Sequence, residues 1–591
     1  MNAVPPEPDS VVSQVIPERP GHRITVWLFL RLLGATFFVA ITSFWSQSMG
    51  LIGSDGIMPA AEFVNAMADV GTQTRWWQNP TLFWFIEPSD LTIHALCLCA
   101  TILSIALILG FLPRLVLVGL WTLYLSFFSV GQPFLGYQWD ILLLEIGFLS
   151  IFLAPGRITP NLKLEREPSP YIVWLFRLIL FKLVISSGLV KLNSGDPTWQ
   201  DLTALDFHFW TQPIPHQLAW YAHQMGPEFR QLGVAFNHYV ELCVPWLILL
   251  PISRFSLLPW IGVTASLLWL SLGSITVSLI VWIGVGTGAL YALEHWLCAR
   301  KSWVPDSGRS SRTMAFILIT GLMASVGLSG NYGFFNLLTV AIALLCLDDR
   351  LLYRLMPASK LQLIPNELGQ RSTVVWSAIA ITLLCVMVPL NSLRLLRVFA
   401  PNLTTSQPKD KEQSPSKGVS AIAGAVESLE QTASHYFGPF VLSNGYGLFA
   451  RMTTERYELK VEASHDGQEW KAYTFEYKPN HPNDLNFAWL HMPRLDWQMW
   501  FAALYPQCRQ RWFFSFLDKL LDGSKPVLSL LDDSPFDTEG PKVIRVSRDK
   551  YQFGGEGSQS QPGEYWTSDP VSPYCPPLTA AQLKRMLQPR R

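Results

Sequence analysis

Runs of apolar residues long enough to cross a bilayer recur along this chain, near 24–45, 92–112, 115–130, 137–154, 171–193, 232–251, 255–273, 274–297, 313–329, 333–347 and 374–398. An α-helix rises about 1.5 Å per residue and the hydrocarbon core of a bilayer is about 30 Å thick, so about 20 such residues span it. Helices apolar on every side bury that surface in lipid or in one another. The chain therefore reads as a multi-pass α-helical membrane protein with about eleven spans. Composition agrees: half of the 591 residues are hydrophobic and only 15% are charged, too few to solvate an ordinary globular surface of this size. A formal net charge of zero offers no basic field for nucleic acid. The first run is too long and uniformly apolar for a cleaved leader and is expected to be a retained anchor.

Positive loops resist translocation, which sets the orientation. With Arg19 and Arg23 inside, counting spans places Arg114, the loop of Arg157, Lys163 and Arg166, Arg254, the 298–312 loop and the 348–371 loop inside as well. The loops 46–90, 131–136 and 194–230, and everything after about residue 398, then fall outside. The short runs flanking Asn331 are read as two spans or as a broken, re-entrant pair, and either leaves this orientation unchanged. The expected organisation is a cytoplasmic tail (1–23), a transmembrane domain (24–398), a linker (399–418) and an extracytoplasmic α+β domain (419–591).

Residues 401–417 are too polar to pack and read as the linker. Residues 419–433 suit a short helix. Arg456 to Ser464 alternates, with Tyr457, Leu459 and Val461 on one face and Glu458, Lys460 and Glu462 on the other, which predicts a half-buried strand. Asp466-Gly467 suits a type I′ turn, and 468–477 alternates again, so a β-hairpin is expected. Residues 509–521 set Trp512, Phe513, Phe516, Leu517, Leu520 and Leu521 on one helical face before Gly523. A last strand is expected over 543–553.

Charged residues inside spans carry the chemistry, because hydrocarbon penalises them by several kcal/mol unless they are paired. They are Arg31, Asp140, Glu145, Arg177, Lys182, Lys191 and Glu241. By depth, Lys182, Glu145 and Glu241 lie near mid-bilayer, so Lys182 is expected to pair with Glu145 or Glu241, while Asp140 and Lys191 lie near the outer end. Such pairs either fix helix register or line a proton or substrate path. A transporter using Glu145 and Glu241 as a relay would normally show an internal repeat, and none is evident.

The loop after Lys191 is dense in polar and aromatic groups, among them Asp196, Trp199, Asp201, His208, Thr211, Gln212 and Pro213. His208, His216 and His223 with Asp206 match no metal-ligand spacing. No phosphate loop, zincin helix or nucleophile elbow is present, and neither cofactor nor metal is expected. Cys97, Cys99, Cys243, Cys346 and Cys385 lie in spans and Cys298 near a cytoplasmic end, leaving Cys508 and Cys575 in the outer domain as a candidate disulfide.

Phe176-Arg177, Gly188-Leu-Val-Lys-Leu192, Gly195-Asp-Pro-Thr-Trp-Gln-Asp-Leu202 and Thr211-Gln-Pro213 closely resemble the lipase maturation factor family. Trp139 to Leu149, Gly330 to Thr339, Asp348-Asp349, Tyr446 to Arg456 and Pro493 to Leu504 resemble it in the same order. Members are membrane proteins, best known from the endoplasmic reticulum, whose lumenal parts help dimeric secreted lipases become active. The resemblance thus implies a maturation or chaperone role, with a secreted lipase as client, membrane lipids as surroundings and no nucleic acid. It places loop 194–230 and the C-terminal domain on the lumenal side. Two features depart from the pattern: the family's His-Gln-Pro-Arg is His491-Met-Pro-Arg494 here, and hydropathy gives roughly two additional spans between Pro251 and Gly330.

A local resemblance points to a different class. Ser187-Gly-Leu-Val-Lys-Leu192, with Asp196 and Trp199 following, looks like the membrane domain of vitamin K-dependent γ-glutamyl carboxylase and its bacterial relatives. There the matching lysine acts as a base, which would give Lys191 that role with His208 or Asp196 beside it. Arg494, Asp496, Trp497 and Trp500, with the aromatics of 194–223, either bind apolar patches of a client or dock the tail onto the membrane domain. The expected compartment is a bacterial plasma membrane, or the endoplasmic reticulum in a eukaryote, where Asn402-Leu-Thr404 would be a glycosylation site. The chain ends at Arg591 with no lumenal retrieval signal.

Overall fold

A computed structural model describes residues 21–69, 75–159, 167–249, 309–355, 374–399, 417–536, 540–554 and 564–588. The helices that matter below are α1 (Arg23–Ile52), α2 (Asp90–Leu109), α3 (Pro113–Val130), α4 (Gln138–Leu153), α5 (Pro170–Asn193), α6 (Ala204–Thr211), α7 (Gln217–Gln224), α8 (Pro227–Leu242), α9 (Arg309–Ser329), α10 (Phe335–Leu344), α11 (Val374–Phe399), α12 (Lys417–Phe437), α13 (Arg494–Ala503) and α14 (Arg511–Leu521). Among the described residues, seven helices are long and apolar enough to cross a membrane: α1, α2, α3, α5, α8 continued to Leu249, α9 from Ser311, and α11.

That count differs from the eleven runs for identifiable reasons. The runs at 255–273 and 274–297 lie outside the described residues. The run at 137–154 forms α4, of 16 residues, and the run at 333–347 forms α10, of 10 residues. At about 1.5 Å per residue both fall short of a bilayer's hydrocarbon thickness. Of the two runs around Asn331, the first is a full-length helix and the second a short one, separated by Gly330 to Phe334.

Local chemistry sets the turns and the close contacts. Gly110, at φ 88°, caps α2 in the left-handed region, and Pro113 opens α3 where its missing N–H is no loss. A Cβ on Gly188 would sit 2.9 Å from Glu241 Cβ, so its absence lets α5 and α8 approach closely.

Connections gather into two groups. At one end, Asp349 Oδ1 accepts from the backbone and hydroxyl of Thr25, Glu167 accepts from His22 N, and Arg114 donates to the carbonyl of Ala154. At the other, Asp90 accepts from Ser54, Gln47 donates to the carbonyl of Met492, and Gln212 donates to that of Ser329.

The C-terminal part packs on this second end. Its antiparallel sheet has the order β2 (Lys471–Ala472), β1 (Arg456–Ser464), β3 (Val543–Phe553), β4 (Trp566–Thr579). The main partner of β1 is β3, from Arg456 opposite Tyr551 to Ser464 opposite Val543. α14 buries Trp512, Phe513, Phe516, Leu517, Leu520 and Leu521, the face that its periodicity predicts. One apolar core joins these side chains to Leu459 and Val461 of β1 and to Phe44, Leu51 and Ile52 of α1.

Three local expectations need correction. The predicted hairpin shrinks to a two-residue β2, paired as Glu462 with Ala472 and Ala463 with Lys471. Its turn is not type I′, which needs positive φ at both central residues: Gly467 has φ 78°, but Asp466 is not in the left-handed region. Instead the Asp466 carboxylate accepts from the N–H groups of Gln468 and Glu469 and the hydroxyl of Ser464, building a wider polar loop. Finally, β1 is buried on both faces, since Glu458 and Glu462 are covered and Lys460 alone is open. Glu458 tolerates this because Arg456 and Lys478 pair with it.

Candidate functional site

The second end of the bundle holds nearly all the residues that the sequence singles out. Arg494, at the start of α13, drops into the bundle and donates through two guanidinium nitrogens to Asp140 at 3.0 and 2.9 Å, and to the carbonyl of Phe134 at 2.6 Å. The Tyr124 hydroxyl donates to the same carboxylate at 2.5 Å. Both members of the ion pair are fully buried. A planar guanidinium suits this task because its fork matches a carboxylate bidentately.

The neighbours of Arg494 complete the dock. Trp497 packs edge-on against Trp139, with ring centroids 4.9 Å apart, and also meets Tyr137 and Tyr332. Trp500 Nε1 donates to the carbonyl of Thr211 at 2.9 Å. Asp496 points back into its own domain and accepts from the backbone N–H groups of Tyr477 and Lys478 at 3.1 and 2.9 Å. Burial pushes its carboxyl up to about 6, against the pull of those two donors. Trp497 and Trp500 are 4% and 8% exposed. Arg494, Trp497 and Trp500 are thus spent on contacts with the bundle, Asp496 on its own domain, and all four are closed to a partner.

Loop 194–230 is held by the same surfaces. The Asp196 carboxylate caps the turn at Pro197–Gln200 through the N–H and hydroxyl of Thr198, and its other oxygen accepts from Met452 N at 2.5 Å. Trp199 donates to the carbonyl of Phe449, while Asp201 is exposed. Gln212 donates to Ser329 O at 2.7 Å and accepts from the Tyr332 hydroxyl at 3.0 Å, and that same hydroxyl lies 3.0 Å from His208 Nε2. Thr211 Oγ1 donates to Phe207 O. Arg456 donates to the carbonyls of Trp210, Gln212 and Pro213, an arrangement that sequence reasoning missed. An arginine opening an alternating strand carries no mark that it will be fully buried.

The charges that the sequence leads one to expect inside spans form three separate pairs. Lys182 Nζ donates to Glu145 at 2.7 Å and to Asn391 at 2.5 Å, and Glu145 also accepts from the hydroxyl of Tyr446 at 2.6 Å. Lys191 Nζ lies 2.6 Å from both oxygens of Glu241, and 5.0 Å from the centre of the Trp199 ring. So Glu145 takes Lys182, and Glu241 takes Lys191 because Gly188 brings α8 against the C-terminal half of α5. Asp140 goes to Arg494. Arg177 donates to the carbonyl of Leu345 and contacts His22, and Arg31 lies over Trp27.

The partners expected for Lys191 as a base are only half assembled. Lys191 and His208 line one cavity of about 680 Å³ between α5, α6, α8 and α9. His208 hydrogen-bonds Tyr332, and Asp196 is engaged by Thr198 and Met452, so neither is bonded to Lys191. Burial and the nearby Lys191 charge push the His208 imidazole down to about 4, which keeps it neutral. The three loop histidines go to different partners: His208 to Tyr332, His216 Nδ1 to the N–H of Leu218, and His223 to the Phe553 ring, tilted at 60° with centroids 5.8 Å apart. Among the described residues no group of three or more His, Cys, Asp or Glu is placed to hold a metal. Cys508 and Cys575 are disulfide-bonded, with Cα atoms 5.5 Å apart.

Comparison with known proteins gives this geometry a family. Residues 24–285 match the lipase maturation factor transmembrane domain, and residues 442–576 match the lipase maturation factor C-terminal domain. Human lipase maturation factor 2 is 31% identical over 95% of this chain and 83% of its own length. Mouse lipase maturation factor 1 is 28% identical over 96% of this chain and 90% of its own, and the human protein of that name 27% identical over 99% and 94%. No solved structure matches the chain. The two matched segments are the ones that Arg494 and Asp140 join, and the likeness to the human protein runs through both: this chain belongs to the lipase maturation factor family.

Proposed function

We propose that this protein is a membrane-embedded maturation factor that holds a partly assembled secreted lipase beside the bilayer until it becomes active. The sheet domain and loop 194–230 face the periplasm, or the lumen in a eukaryotic host. Membership of the family supports the role, and the charge distribution of the loops supports the side.

One observation carries the physical mechanism. Trp497 and Trp500 of α13 and Trp512, Phe513 and Phe516 of α14 are buried against the bundle and the domain's own core, yet Phe487, Trp489 and Leu490, just before α13, are exposed at 36%, 76% and 40%. The Phe487 and Trp489 rings stack edge-on with centroids 4.6 Å apart, and Phe487 rests on His216 of loop 194–230. An apolar pair held rigidly on a docked domain is suited to an exposed apolar patch of an unassembled client. A photoreactive phenylalanine at position 489, in cells secreting one of the host's lipases, tests this. Cross-links to the lipase before it acquires activity are expected. Cross-links to lipid alone, with active lipase still secreted, would contradict the reading.

A further inference from the structure

The cavity beside Lys191 has a construction of its own. Its volume of about 680 Å³ lies within the roughly 300–1,000 Å³ usual for small-molecule sites. Most of its wall is apolar, contributed by α5, α8 and α9, including Leu183, Val240 and Leu322. These are three of the helices long and apolar enough to cross the membrane. At its rim stand Phe229, Leu232 and Leu328, exposed at 41%, 51% and 60%. In a bilayer such a rim meets acyl chains, so what enters from the side is lipid.

The donors and acceptors around Lys191 and His208 can be counted. Lys191 has three ammonium protons, and Glu241 supplies two acceptors for them, leaving one donor with no hydrogen-bond acceptor among the described residues beyond the face of the Trp199 ring. Gln212 Nε2 donates to two carbonyls, so its Oε1 takes the Tyr332 hydroxyl proton. The Tyr332 oxygen therefore accepts from His208 Nε2–H, which leaves His208 Nδ1 as an acceptor. Lys191 and His208 thus leave one donor and one acceptor, beside the amide of Asn237, which donates to Glu241, and serine hydroxyls whose protons go to their own helices; the lining carries no net charge, since Lys191 and Glu241 cancel. A charged headgroup brought there would lose its water with no counter-charge in return. A hydroxyl or an ester carbonyl would find a partner.

We propose that this cavity is a binding site for a neutral lipid, a long apolar chain ending in a hydroxyl- and ester-bearing head of the monoacylglycerol type. The chain lies between α8 and α9, and the head meets Lys191 and His208. The site needs no lipase client and stands apart from the maturation role.

The full-length protein in phosphatidylcholine nanodiscs is irradiated with a long-chain monoacylglycerol carrying a diazirine near its tail. Peptide mapping is expected to find the label within residues 183–191, 229–240 and 319–329, competed by unlabelled monoacylglycerol. Ser187→Phe fills the cavity from α5, and Leu322→Trp fills it from α9. Whichever of them folds should reduce labelling by about tenfold, equivalent to about 1.4 kcal/mol of binding. A fatty acid probe, ionised above its carboxyl pKa, should label far less. Label spread evenly over the lipid-facing sides of all spans, label undiminished in a folded variant, or equal labelling by the fatty acid would each overturn the proposal.

Discussion

Arg494 and Asp140 are separated by 354 residues in sequence and meet as a fully buried, bidentate ion pair that fastens the C-terminal domain to the membrane bundle. Removing either partner leaves the other charge buried and uncompensated, which costs about 3–5 kcal/mol. Arg494→Met and Asp140→Leu are each expected to lower thermal stability markedly in detergent. The double variant should recover most of the loss, because two apolar side chains leave no orphan charge. Losses that simply add would show that the pair is not coupled.

Trp489 is exposed and touches little besides Phe487, so Trp489→Ala should leave the unfolding temperature within about a degree of wild type. In a host whose own copy of the gene is deleted, the same variant should reduce the activity per molecule of secreted lipase. A fall in stability instead would assign Trp489 to the fold.

Two buried groups outside the spans titrate with opposite signs. The folded protein holds His208 near 4, below the usual imidazole value, so the unfolded chain takes up this proton first and stability is lost as pH falls from about 6.5 to about 4. Asp496 is raised to about 6, so the folded chain keeps that proton longer and stability is lost as pH rises from about 4 to about 6. Thermal unfolding followed across this range should show His208→Gln gaining on wild type toward acid and Asp496→Asn gaining toward neutral pH. Parallel curves would contradict both assignments.

The disulfide joins cysteines 67 residues apart, so Cys508→Ala is expected to cost about 2–4 kcal/mol. Intact cells offer a check on sidedness. After reduction, a membrane-impermeant thiol reagent should label the half-buried Cys508 if the domain lies outside the plasma membrane, and not if it lies within.

Seven of the eleven runs were legible as membrane-crossing helices because an unbroken apolar run has few other homes, while apolarity alone did not tell the shorter α4 and α10 from spans; α14 was legible because its stripe has the helical period. β4 was not legible. Pro570, Pro573, Pro576 and Pro577 argue against a strand, yet an edge strand can spare ladder donors on its open side, and its register against β3 is irregular. The ion pairs were half legible. Helical rise gives the depth of Lys182, Glu145 and Glu241 but not which helices touch, and Gly188 decides that by letting Glu241 reach Lys191. Arg456 was hidden because its ligands are backbone carbonyls, which leave no trace in a sequence.

The maturation role is tested most directly by deleting the gene in its own host and comparing the amount of each secreted lipase with its activity per molecule. Lipase should still be made and exported, with its specific activity reduced and then restored by the wild-type chain. If every secreted lipase keeps full specific activity without this protein, the maturation account is wrong.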